Sequence, residues 1–143
     1  MYTHGRGVTQ NDSEAVKWYT QAAEQGNAEA QTCLGLMYYE GCGIDQNYAE
    51  AVKFFMQAAE QGDADAQNNL GLMYDEGCGV DQNYAEAAKW YTKAAEQGDA
   101  DVQTYLGWMY EEGRGVSKDD ATAVMWYAKA AEQGNAAAQY NLG

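Results

Sequence analysis

Apolar residues recur along the chain at helical spacing, in blocks of about a dozen residues separated by glycines. In one block Ala87, Ala88, Trp90, Tyr91, Ala94 and Ala95 form a wide stripe on one side of a helix. In the next, Val102, Leu106, Met109 and Tyr110 do the same. The first block predicts a helix, here called B, that runs to about Gln97. The second predicts a helix A over roughly Ala100 to Glu112. Gly98 ends B as a left-handed residue and Asp99 caps A, so the connecting turn is short enough to force the two helices antiparallel.

This pair is one copy of a repeat. The run A-E-Q-G closes at Gly26, Gly62, Gly98 and Gly134, each 36 residues after the last. A fixed period of this size is the mark of a solenoid, in which each unit buries its apolar face against its neighbours. Asn27, Asp63 and Asn135 repeat the cap that Asp99 supplies. Asn11, Asn47 and Asn83 each precede a glutamate by three positions, which predicts a capping box at the start of B. In the last copy Asp119 and Thr122 stand there, leaving half of the box. Gly107 recurs within helix A, where it costs about 1 kcal/mol relative to alanine. Close approach of another helix backbone is the expected compensation. The fold class is therefore all-α: a solenoid of antiparallel helix pairs, read as one array over residues 1–143 with incomplete repeats at both ends.

Charge narrows the function. The chain carries 22 acidic and 8 basic residues, a net charge of −14. Such a surface opposes nucleic-acid phosphates and anionic membranes, and it suits a basic partner. No apolar run approaches the roughly 20 residues of a membrane span, and no basic, apolar leader is visible. Cys42 and Cys78 occupy the same place in adjacent copies, which helix packing separates by about 9 to 10 Å. A disulfide needs less than about 7 Å between Cα atoms. With Cys33 they are read as reduced thiols, which favours a reducing compartment.

The pattern A-x-x-x-L-G-x-M-Y-x-x-G-x-G-V, then A-x-x-W-Y-x-x-A-A-x-Q-G, resembles the Sel-1-like repeat, a relative of the tetratricopeptide repeat. Met37–Leu72 and Met73–Trp108 follow it throughout, with Phe54-Phe55 in place of Trp-Tyr in one copy. The resemblance implies a right-handed α–α superhelix that acts as an adaptor in protein complexes. One cysteine-rich branch of the family is linked to penicillin binding or β-lactamase activity, which makes a cell-envelope hydrolase the alternative reading. A structural spacer without a dedicated ligand is another. The regular cysteine pairing of that branch is missing here.

The internal copies separate core from surface. Leu34, Leu70 and Leu106 form a constant column, as do Tyr38, Tyr74 and Tyr110. Other helix A columns vary: Cys33, Asn69, Tyr105; Leu36, Leu72, Trp108; Tyr39, Asp75, Glu111. In one copy Asp101, Tyr105, Trp108 and Glu112 share a face. A protein or peptide partner is expected to bind the concave face through Asn69, Leu72, Asp75, Asp101, Tyr105, Trp108 and Glu112. Tyr105 and Trp108 are its exposed aromatic anchors. The invariant Gln31, Gln67, Gln103 and Gln139 are expected to bond a neighbouring loop backbone, with a ligand-clamping amide as the alternative.

Chemistry other than binding finds few residues. His4 is the one histidine, so a Ser-His or Cys-His nucleophile has no base within the array. No zinc pattern exists, and Asp45-Gln-Asn47 and Asp81-Gln-Asn83 fall short of a calcium loop. No metal, cofactor or catalytic residue is expected. At the ends, Trp18 and Tyr19 lack an A helix to cover them, and Tyr140 and Leu142 lack a B helix. Head-to-tail self-association through these incomplete terminal repeats is therefore expected.

Overall fold

The computed structural model describes residues 10–142, and it is helical throughout apart from turns and loops. The segment Met1–Val8, with His4, lies outside the described residues, as does Gly143. Four B helices alternate with four A helices: α1 (Gln10–Glu24), α2 (Ala28–Glu40), α3 (Tyr48–Glu60), α4 (Ala64–Glu76), α5 (Tyr84–Glu96), α6 (Ala100–Glu112), α7 (Asp120–Glu132) and α8 (Ala136–Leu142). Each packs on its neighbours in sequence, so the chain is an all-α solenoid of antiparallel helix pairs.

Local chemistry sets these boundaries. Asp63 and Asp99 accept the N–H groups of Ala66 and Val102 at the starts of α4 and α6. Gly98 takes φ +108° in the turn before α6. At the starts of α3 and α5, Asn47 and Asn83 accept from the Glu50 and Glu86 N–H groups. The expected reciprocal half of the box is not made. The Asn47 and Asn83 N–H groups donate instead to Tyr38 and Tyr74 carbonyls on the preceding A helix. Glu50 and Glu86 turn outward to Lys53 and Lys89. At α7, Asp119 accepts from both the N–H and the hydroxyl of Thr122, while its own N–H donates to the Tyr110 carbonyl. Asn11 lies inside α1 rather than ahead of it.

The core is a row of alanines and large side chains. Ala51, Ala58, Ala87, Ala94 and Ala130 are wholly buried, and they let helix backbones approach. Phe55, Leu34, Leu70, Met73, Leu106 and Met109 fill the space between. Burial of each such side chain stabilises the fold by about 1.5–3 kcal/mol before entropy is counted.

The mid-helix glycines differ from expectation in what covers them. A Cβ on Gly71 would stand 2.8 Å from the Tyr91 ring, and one on Gly35 2.7 Å from Phe55. An aromatic ring from the following B helix lies there, not a helix backbone. At Gly107 a backbone atom, the Ala123 carbonyl oxygen at 3.1 Å, is among the nearest atoms together with the Tyr127 ring. The second loop glycine has a separate reason. Gly79 has φ +75°, and a Cβ would lie 2.5 Å from the Tyr48 carbonyl, on the first turn of the preceding B helix.

Candidate interaction surface

The invariant glutamines fasten three helices at once. Gln67 donates its amide to the Ala59 carbonyl on α3 and accepts from Gln97 at the end of α5. Gln31 does the same between Ala23 and Gln61, and Gln103 between Ala95 and Gln133. All three are buried. Their partners are the last turns of B helices and the glutamine of A-E-Q-G. These amides serve the framework, and the reading of the partner falls to other columns.

The A helices present one surface, carved by two grooves that share Asn68. The groove between α2 and α4, about 450 Å³, has Glu29, Thr32, Cys33 and Leu36 on one side and Asp63, Asp65, Asn68 and Asn69 on the other. Burial raises the pKa of Cys33, which holds it as the neutral thiol at neutral pH. The groove between α4 and α6, about 330 Å³, lies between Leu72, Asp75 and Glu76 on α4 and Asp101, Val102 and Tyr105 on α6. Four of the expected site residues, Leu72, Asp75, Asp101 and Tyr105, thus converge on one groove. Asn69 belongs to the first groove and, with Leu72, to a small cleft against Tyr39 and Phe55. Trp108 and Glu112 line neither large groove.

Three side chains are not as exposed as the sequence suggests. Tyr105 and Trp108 are half-buried, because their rings stack on each other at 5.4 Å and Tyr91 meets Tyr105 edge-on. Asp75 is only 7% exposed. Tyr105 donates its hydroxyl to Asp75 Oδ2, the Tyr91 hydroxyl lies 3.5 Å from the same oxygen, and Arg114 lies 3.5 Å from Oδ1. Burial, reinforced by Asp75, pushes the pKa of both tyrosines well above the ordinary value. Asp75 is therefore the floor of the groove, not an acidic group free to meet a partner.

Arg114 was missing from the sequence-based set. It stands where Cys42 and Cys78 stand in the earlier copies, between two loop glycines. Its guanidinium carbon lies 4.0 Å from the Tyr84 ring centre and 5.3 Å from that of Trp108. One signal could have revealed the cluster. Where an acid ends helix A, as at Asp75 and Glu111, a tyrosine lies sixteen residues on and bonds it. Where Tyr39 replaces the acid, the partner is Phe55, which has no hydroxyl.

Carboxylates occur on both kinds of helix, but the basic residues of the helices are confined to the B kind. The sequences of α2, α4 and α6 hold two, three and three carboxylates and no lysine or arginine. Lys53, Lys89, Lys93 and Lys129 all lie on B helices, over the rings of Phe54, Trp90 and Trp126. Among the described residues no three metal-binding side chains cluster, and no helix is long and apolar enough to cross a membrane. None of the three cysteines is in a disulfide. Trp18 and Tyr140 are 64% and 84% exposed, and Tyr19 and Leu142 are also exposed.

With this arrangement in view, the likeness to known proteins is direct. The Sel1 repeat model matches residues 1–27, 28–63, 64–99 and 100–135, so the chain belongs to the Sel1 repeat family. Each full match is one A helix followed by its B helix. Repeats of this family generally mediate protein–protein interaction. Among solved structures, a Sel1 repeat protein from Oxalobacter formigenes is 46% identical, with a TM-score of 0.86 over 91% of this chain. The protective antigen c5321 of uropathogenic Escherichia coli, described as displaying an SLR fold, is 45% identical, with a TM-score of 0.88 over 91% of this chain. The chain spans 54% of the first of these proteins and 28% of the second. Helicobacter pylori cysteine rich protein B is 28% identical, with a TM-score of 0.75, over 96% of this chain and 99% of that one. No curated protein matches the chain by sequence.

Proposed function

We propose that this chain is a non-enzymatic scaffold that binds an extended protein segment along the face formed by α2, α4 and α6, and that the segment is basic. The observation that carries the reading is the charge segregation. The A helices α2, α4 and α6 that line the two grooves carry carboxylates and no lysine or arginine, and the Arg114 guanidinium from the following loop is answered by Asp75, whereas Lys53, Lys89, Lys93 and Lys129 lie on B helices. The uncompensated carboxylates of this face steer a cationic segment toward it more strongly than the mixed charges of the B helices do. Extended binding surfaces on stacked helix pairs arise from the geometry of the solenoid itself.

Selection from a random peptide library displayed on phage tests this. Enriched peptides should carry lysine or arginine and should lose binding to the variant Glu29→Lys/Asp101→Lys. Lys53→Glu/Lys89→Glu, on the B helices, should leave it intact. A library that yields no enriched sequence, or peptides indifferent to the first variant, would overturn the proposal.

A further inference from the structure

The two grooves are both acidic but differ in their walls. Between α2 and α4 the wall is Thr32, Cys33 and Leu36. Between α4 and α6 it includes the Tyr105 ring, stacked on Trp108. The Asp75 charge there is answered by Arg114 and the Tyr105 hydroxyl. Glu76 and Asp101 remain, exposed and on opposite sides of the groove. Among the described residues neither pairs with a cation; Asp101 accepts one bond, from the Asn135 amide, and Glu76 one long bond, from the Cys78 thiol.

We infer that the α4–α6 groove is an anchor site for one arginine side chain of the bound segment, its guanidinium held between Glu76 and Asp101 against the Tyr105 ring. This deepens the scaffold reading and rests on it. Arginine suits the groove better than lysine for three reasons. Its planar fork reaches two carboxylates on different helices, where an ammonium is a single point. Its face stacks on an aromatic ring, and it gives up water more readily against Leu72 and Val102. The protein already holds one guanidinium by the same chemistry, since Arg114 lies on Tyr84 and Trp108 with Asp75 as counter-charge. That aromatic ledge continues through Trp108 to Tyr105 and so into the groove.

The test is an amide-resolved NMR titration with the peptides GSGRGS, GSGKGS and GSGQGS. The arginine peptide should shift Asn68, Glu76, Asp101 and Tyr105 in a saturable way and bind more tightly than the lysine peptide, with the glutamine peptide inert. Glu76→Gln/Asp101→Asn should weaken it about tenfold, as expected for the loss of two exposed ion pairs. Glu29→Gln/Asp65→Asn, in the other groove, should not. Equal binding of the arginine and lysine peptides, or shifts spread evenly over the acidic helices, would overturn the anchor assignment. Either result would leave the scaffold reading standing if the phage selection still finds peptides on this face. Both double variants replace exposed carboxylates, and their unchanged melting would show that the fold is intact.

Discussion

Gln97 donates its side-chain amide to Gln67 across 2.9 Å, although thirty positions separate them in the sequence. The same Gln97 amide also reaches the Gly62 carbonyl, while the Gln67 amide holds Ala59. One pair of glutamines therefore ties α3, α4 and α5 together, and its equivalents do so at the neighbouring joints. A buried amide satisfied at both ends is what lets a polar residue stand in a core column.

Substituting Gln67→Leu should thus be felt at two joints. It leaves the Ala59 carbonyl and the Gln97 amide without that partner, at a cost of about 1–3 kcal/mol. Thermal unfolding of the variant measures it; a melting curve that overlays the parent would show the amide ladder to be incidental.

Gly107→Leu should destabilise by about 1–3 kcal/mol or more, because the added carbons meet the Tyr127 ring and the Ala123 carbonyl together. Gly71→Leu meets the Tyr91 ring first, a side chain that can shift more readily than a backbone carbonyl, and should cost less. Denaturant titration of both variants checks the order.

Tyr105→Phe should cost about 1.5–3 kcal/mol, the range for a hydrogen bond to a charged group, since Asp75 keeps its charge and loses its closest donor. The far-ultraviolet dichroism should not change. Phe55→Tyr provides the control: no acid stands at Tyr39 to receive its hydroxyl, so it gains no compensating bond.

The pKa values of Tyr91, Tyr105 and Tyr127 are raised by burial and by Asp75 or Glu111 beside them. In the unfolded chain a tyrosine ionises near about pH 10. Above that pH the unfolded state loses protons that the folded state keeps, so stability is full below about pH 10 and falls as pH rises. Spectrophotometric titration should show these three ionising last, with unfolding, after Tyr19 and Tyr39, whose pKa values are also raised. Replacing all three with phenylalanine should flatten the alkaline loss.

The framework was legible in the sequence because each of its parts recurs. Helix A was read as Ala100 to Glu112 and lies there. The role of Gln67 followed from its invariance, and the caps from Asn and Asp at fixed places. The groove was only partly legible, for the same reason in reverse. Its floor joins the end of α4, the middle of α6 and the loop after α6, which hold different residues in the other copies. No column of the repeat shows Asp75, Tyr105 and Arg114 to be neighbours. Reading exposure from variability failed at Asp75, whose column varies because each residue matches a different partner, Phe55, Tyr91 or Tyr127.

Among the described residues the fixed amides bond, and the fixed glycines contact, their own or adjacent copies, so each joint is chemically self-sufficient. A 36-residue unit can then be added or removed without rewriting any other joint. Each addition brings one more set of variable A-helix positions into line. Recognition in such a molecule can change by whole syllables, with its grammar untouched.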